Sequence, residues 1–328
     1  MNILLLGGSI FLGRHIAIAA LRNGHSVTFF NRGLHFPDDF PEIEKIRGDR
    51  ATDLHLLNGR KWDVVIDTCG YVPRVVGISA QYFSDHADRY VFISSVSVYS
   101  NEHGHLDENS SVMRIEDHTI EEITGETYGA LKYLSELAAE YYMPNRVLTI
   151  RPGLIVGAND WSGRFAYWVH RMKIGGNILV PNAFEQITQF IDVRDLSEWI
   201  IRLVEEKSVG IFNADGATDS TFGNVLDACT HHAAVDSTLI PVSEKFLLEN
   251  GVLPYSEVPL WIPAEFGTRT FNSSKAISAG LRYRSLEDTI DGASQWLQTV
   301  EPISRALGKS MTTNREAELL GIWSKTWQ

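Results

Sequence analysis

An apolar run at residues 2–6 ends on Gly7-Gly8 and leads at once into Phe11-Leu12-Gly13 and a helical pattern, in the stretch LLLGGSIFLGRH. No other feature narrows the fold as far. A buried strand that turns on glycines into a helix is the opening unit of a nucleotide-binding parallel sheet. One glycine makes the tight turn, a second admits a pyrophosphate, and a third lets helix and strand pack closely. Gly7 and Gly13 can fill the first and third roles, and Gly8 adds backbone freedom. The middle position, however, is Ile10. Its side chain must turn away from a ligand or narrow the space for it. The amino end of the helix, beginning with Phe11 and Leu12, still offers backbone N–H groups to phosphates. A plain strand–helix turn is the competing reading.

The alternation continues along the first half. Strands are expected at residues 2–6, 26–30, 44–47, 63–67, 90–94 and 147–150, and helices at 12–23, 52–58, 74–84 and 127–142. Strands that are apolar throughout are buried on both faces, and helices between them imply parallel pairing. The expected class is therefore α/β, a doubly wound parallel sheet with ligands at the carboxyl ends of its strands. After Gly157 the texture turns to Trp- and Pro-rich loops with short helices. Residues 1–156 plus about 187–213 are expected to form the sheet domain. Residues 157–186 plus 214–328 are expected to form a smaller, interleaved carboxyl-terminal domain that binds substrate. The tail NREAELLGIWSKTWQ reads as an amphipathic helix.

Bulk properties exclude several classes. A chain of 328 residues with 44% hydrophobic and 21% charged residues suits a folded protein, not a disordered one. No apolar run approaches the roughly 20 residues of a membrane helix. Two cysteines, Cys69 and Cys229, give no disulfide framework and point to a cytoplasmic setting. Cys229, His231 and His232 lack metal-site spacing. A net charge of −12 disfavours nucleic acid as a partner.

The second strand ends in Asn31-Arg32, where an acidic residue would bind the ribose diol of NAD. Asparagine cannot act as that anionic acceptor, whereas Arg32 could pair with a 2′-phosphate. NADP(H) is accordingly expected ahead of NAD(H), although a solvated arginine is the other reading of Arg32. In RGDRATD, Asp49 is a candidate acceptor for the adenine amino group, with Arg50 beside it; a helix cap is the alternative.

Tyr128 and Lys132 in TGETYGALKYLSE stand four residues apart, on one face of a helix. A phenol is a poor acid or base at neutral pH. An ammonium about 5 Å away favours the phenolate by roughly 3 kcal/mol, about 2 pKa units, at an effective dielectric near 20. That shift brings tyrosine toward the range where general acid–base catalysis is efficient. The strand RYVFISSVSVYS delivers Ser94 and Ser95 at its carboxyl end, where a hydroxyl can hold a substrate oxygen.

These pieces, with RPGLIVG, FIDVRDL and LRYRSLEDTIDGASQWL, resemble the extended short-chain dehydrogenases/reductases of the NAD-dependent epimerase/dehydratase family over about residues 1–300. The resemblance implies a Rossmann fold with Ser95, Tyr128 and Lys132 as the catalytic trio, Tyr128 being the acid/base. It implies that Lys132 also binds the nicotinamide ribose. It places Thr68, Cys69 and Gly70 under the cofactor, and Pro152 to Ile155 beside the nicotinamide. A homodimer through the helix of Tyr128 is common in this family. Ile10 and the loop DTCGYVP depart from the central pattern and resemble a bacterial subgroup often labelled isoflavone-reductase-like. The first loop also resembles that of the chloroplast stem-loop-binding relatives.

Three functions stay in competition. The leading one is an NAD(P)-dependent oxidoreductase acting on a carbonyl or alcohol of a small organic substrate. A nucleotide-sugar epimerase that retains its NAD is the second. A non-catalytic, RNA-binding relative is the third.

Overall fold

Seven parallel strands form the sheet of the first of two units into which the chain divides. Unit 1 comprises Met1–Ile155, Val193–Gly216 and Phe271–Tyr283; unit 2 comprises Val156–Asp192, Ala217–Thr270 and Arg284–Gln328. The computed structural model describes residues 1–100 and 103–326.

In unit 1 the elements follow in the order β1 (Asn2–Leu6), α1 (Phe11–Arg22), β2 (Ser26–Asn31), β3 (Glu44–Arg47), β4 (Trp62–Asp67), α2 (Pro73–Phe83), β5 (Ala87–Ile93), α3 (Tyr128–Tyr142), β6 (Val147–Pro152), α4 (Val193–Glu205) and β7 (Gly210–Ala214). The strand order is β7-β6-β5-β4-β1-β2-β3. Helix α1 packs against α4, and α2 against α3, as two pairs flanking the sheet. Leu4, Leu6, Val65, Phe83, Tyr90, Phe92, Ala139 and Val147 share one core cluster. Its strand members come from the apolar runs that the sequence marks as buried, and Phe83 and Ala139 reach it from α2 and α3.

Register brings the strand ends into line. Leu6 pairs with Phe30 and with Asp67, Asp67 with Phe92, Ile93 with Ile150, and Pro152 with Ala214. Gly7, Asn31, Thr68, Ser94, Gly153 and Asp215 therefore follow along one edge of the sheet.

Some expectations shift. The helix expected at 52–58 is a single 3₁₀ turn, Leu54–Leu57, because Asn58-Gly59 stops it before a helical nucleus can extend. Strand β5 begins at Ala87, its polar Asp88 and Arg89 having masked the start. Strand β7 extends the sheet by one, and Phe271–Tyr283 joins unit 1 from far along the chain. Residues 187–192, expected with the sheet, belong to unit 2.

Unit 2 has a parallel strand pair, Gly176–Pro181 with Ser237–Val242. Three helices pack on one another: Ala166–Ile174, Phe222–Ala233 and Leu286–Leu297. The tail is helical over Thr313–Thr326, its last two residues lying outside the described ones. Glu316 on that helix is buried; it pairs with Arg171 at 2.7 Å and accepts the Leu179 N–H at 3.0 Å. Trp168 and Trp261 are fully buried core residues. No helix among the described residues is long and apolar enough to cross a membrane.

Candidate active site

The loop between β1 and α1 resolves the question posed by Ile10. Gly7 and Gly8 have φ of 98° and 85°, a region that a side chain would strain. A Cβ on Gly8 would lie 2.5 Å from the Phe29 ring, and one on Gly13 would lie 2.8 Å from the Gly8 Cα. Gly13 thus performs the close-packing role assigned to the third glycine. Ile10 is the residue before the helix, in extended conformation and 39% exposed. Its side chain is carried on the outside of the turn, not in the core. Phe11 adopts a φ of 35°, an unusual left-handed value for a non-glycine residue at the first position of α1. The twelve-residue helix then presents its amino end, with unpaired N–H groups and a partial positive charge, at the carboxyl edge of the sheet. This cradle fits a dinucleotide's pyrophosphate.

At the tip of β2, Asn31 has an internal task. Its Nδ2 donates to the Gly7 carbonyl at 2.7 Å, and its Oδ1 accepts from Gly33 N at 2.9 Å and Arg47 Nη1 at 3.2 Å. Arg32 is exposed beside it. Arg47, at the end of β3, is a second arginine on this tip that sequence reasoning missed; its signal was its place after a short strand next to β2. Asp49 organises its own turn, its Oδ1 accepting Ala51 N–H at 2.9 Å.

Arg50 requires a correction. Its guanidinium does not extend toward an adenine but grips the buried Asp67 carboxylate at 2.5 and 2.6 Å, with Ser79 Oγ at 2.9 Å. Tyr90 donates to the same carboxylate at 2.7 Å. Burial works to raise the Asp67 pKa, but Arg50 and these hydrogen bonds hold it below the ordinary value. The arginine is drawn inward because a buried carboxylate needs a charged partner. Above this network runs the loop of Thr68, Cys69 and Gly70. Thr68 Oγ1 donates to the Leu6 carbonyl at 2.9 Å, tying the loop to β1. A Cβ on Gly70 would meet Asp67 and Phe92 at 2.7 Å.

Lys132 is 3% exposed, and its Nζ donates to the carbonyls of Gly70 and Ile93, each at 2.6 Å. Burial pulls its pKa down to about 8, while Asp67 and Glu136 favour the cation and Arg50 opposes it. Tyr128 is half-buried at the first position of α3, one turn before Lys132. Its neighbour Gly129 lies against the Ser97 carbonyl, where a Cβ would approach to 2.0 Å. The first turn of α3 therefore touches the segment that carries Ser95.

Ser94 and Ser95 separate cleanly. Ser94 is buried and donates to Glu136. Ser95 is half-buried and caps the turn Val96–Val98, its Oγ accepting Ser97 N–H at 3.1 Å. Glu136 in turn receives Arg151 Nε at 2.9 Å and Nη2 at 2.6 Å, and Arg151 Nη1 donates to Tyr99 at 3.0 Å. Sequence reasoning missed this pair, although Glu136 stands four residues after Lys132 on the same helix face. Pro152 is buried at the end of β6, and Ile155 is half-buried beyond it. Between them, Gly153 faces the buried Asp215, whose carboxyl carbon would be 2.0 Å from a Cβ there.

The NAD dependent epimerase/dehydratase family profile matches residues 62–214, from β4 through β7. Chloroplast stem-loop binding protein of 41 kDa b of Arabidopsis thaliana is 25% identical over 249 residues, covering 70% of this chain and 62% of that protein's length. Among solved structures, UDP-glucuronic acid 4-epimerase from Bacillus cereus in complex with NAD is similar with a TM-score of 0.68 at 17% identity, over 91% of this chain and 97% of that one. The Bordetella bronchiseptica enzyme WbmH in complex with NAD+ is similar with a TM-score of 0.69 at 16% identity, over 90% and 98%. These structural likenesses are likenesses of fold. The profile match spans residues 62–214, the part of the chain that includes the helix of Lys132, and there the chain is similar to the NAD dependent epimerase/dehydratase family.

Proposed function

We propose that unit 1 binds NADP(H), in preference to NAD(H), along the carboxyl edge of its sheet. We further propose that the protein is an oxidoreductase acting on a carbonyl or alcohol of a small organic substrate in a cytoplasmic setting. The placement of Lys132 carries this reading. An ammonium has three donors; two go to the carbonyls of Gly70 and Ile93, which leaves one N–H for a further acceptor at the sheet edge.

The amino end of α1, with Gly7, Gly8 and Gly13, would hold the pyrophosphate, and Thr68 to Gly70 would line the floor beside it. Arg32 and Arg47 flank Asn31, where a 2′-phosphate would be neutralised; Asn31 itself offers no carboxylate to a free diol. A bound nicotinamide would supply or take up the hydride. Tyr128 gives or receives the proton at its phenolic oxygen, Ser95 aligns the substrate oxygen, and the Lys132 cation favours the phenolate. Positioning and charge stabilisation supply most of the rate.

Two measurements test the proposal. Titration with NADPH and NADH, followed by nicotinamide fluorescence, is expected to show tighter binding of NADPH; a large preference for NADH removes the role of the arginines. Tyr128→Phe is expected to keep dinucleotide affinity and lose about 100-fold or more in turnover, the usual minimum for a general acid. Full activity in that variant sinks the mechanism. The likeness in fold to a 4-epimerase solved with NAD favours epimerisation as the second reading. Dinucleotide that stays with the protein through purification supports the epimerase; free exchange supports the oxidoreductase.

A further inference from the structure

Tyr71 follows Gly70 and is 45% exposed, yet its ring is engaged on two sides. Its centroid lies 5.3 Å from Lys132 Nζ and 6.5 Å from the Tyr128 ring, inclined by 41°. Phe92, which is fully buried, offers its ring to the same ammonium at 4.4 Å. Two carbonyls and two rings thus surround the Lys132 cation, and of these rings Tyr71 is the one that meets solvent. We propose that Tyr71 is a positioning residue: its ring closes Lys132 off from water and braces Tyr128 beside it, a task that needs the ring and not the hydroxyl.

The physical argument sets two opposed effects against each other. An aromatic face attracts a cation, whereas the exclusion of water disfavours it. Burial is the largest influence on Lys132, ahead of the charges that face it: Asp67 from β4, Glu136 from its own helix, and Arg50 and Cys69 from neighbouring loops. Those groups stay in place when Tyr71 is shortened. Rehydration then dominates, and the lysine holds its proton more tightly. Tyr71 itself stays a neutral phenol, burial having pushed its pKa up to about 12, so replacing it by phenylalanine changes little charge.

The test uses the full chain without dinucleotide. The Lys132 side-chain Cε signal is followed by NMR against pH and assigned with Lys132→Arg. In the wild type the midpoint is expected at about 8. Tyr71→Phe is expected to stay within a few tenths of that value. Tyr71→Ala is expected to move it up by about one unit, a tenfold gain in proton affinity, with the high-pH limb of any turnover moving in parallel. An unshifted midpoint in Tyr71→Ala, or an equal shift in Tyr71→Phe, overturns the proposal. The proposal deepens the oxidoreductase reading, but this readout does not depend on it. Absent turnover with the expected titrations refutes the activity alone, whereas normal turnover with unshifted titrations refutes Tyr71 alone.

Discussion

Asp215 shows what a single buried carboxyl does at the edge of a sheet. It is 2% exposed, accepts Gly216 N–H at 2.8 Å, and its pKa is pushed by burial up to about 7. Unfolded aspartate titrates near 4. Between roughly pH 4 and pH 7 the folded protein therefore holds a proton that the unfolded chain has released. Stability falls as pH rises through that window and levels off above it. Asp215→Asn, which keeps the acceptor for Gly216 and carries no charge, is expected to unfold at a higher temperature than the wild type at pH 8. The gain is at most on the order of 4 kcal/mol, for about three pKa units. Near pH 4 the two are expected to coincide. Equal unfolding temperatures at both pH values would show that Asp215 is not desolvated. Nothing in the letters NADG marks this residue as buried; Gly153, which makes room for it, is 62 residues earlier in the chain.

Among elements, α3 is the one most tightly specified. Tyr128, Lys132 and Glu136 repeat every four residues on one face, and the helix was legible in the sequence. The partners were not. Glu136 meets Arg151 from β6 and Ser94 from just past β5, and such pairings are visible only once register is known. Removing one member of a buried ion pair leaves an uncompensated charge. Arg151→Met is expected to cost about 3–5 kcal/mol in denaturant unfolding, whereas Arg151→Met combined with Glu136→Leu recovers most of the loss. An additive double variant would show that the two charges do not act as a pair. Strand boundaries were readable where an apolar run ends abruptly, as in β1. They blurred where polar residues sit inside a strand, as Asp88 and Arg89 do in β5. Ile10 could be placed only with the backbone in hand, since spacing alone cannot say which side of a turn a side chain takes.

For the whole molecule, net charge bears on whether a phosphate backbone is a partner. The Arabidopsis relative is named for stem-loop binding, but this chain carries a net charge of −12. Bringing that charge to a phosphate backbone is unfavourable without a basic patch. No shift of a structured RNA is expected in gel mobility at 50 mM salt with micromolar protein, and binding that weakens steeply with added salt would overturn this. The class of fold was legible from the first 150 residues, where strands and helices alternate. The make-up of unit 1 was not, because Phe271–Tyr283 rejoins it by contacts that no local pattern announces. Lys275 Nζ donates to the Ile211 carbonyl at 2.6 Å, and the Tyr283 hydroxyl to that of Asp215, also at 2.6 Å. That late return has a consequence for biosynthesis. A ribosome making this chain has released all seven strands of the sheet long before it releases the segment that finishes their unit. A nascent chain must therefore wait, its unit lacking the closing piece, until residues 271–283 have emerged.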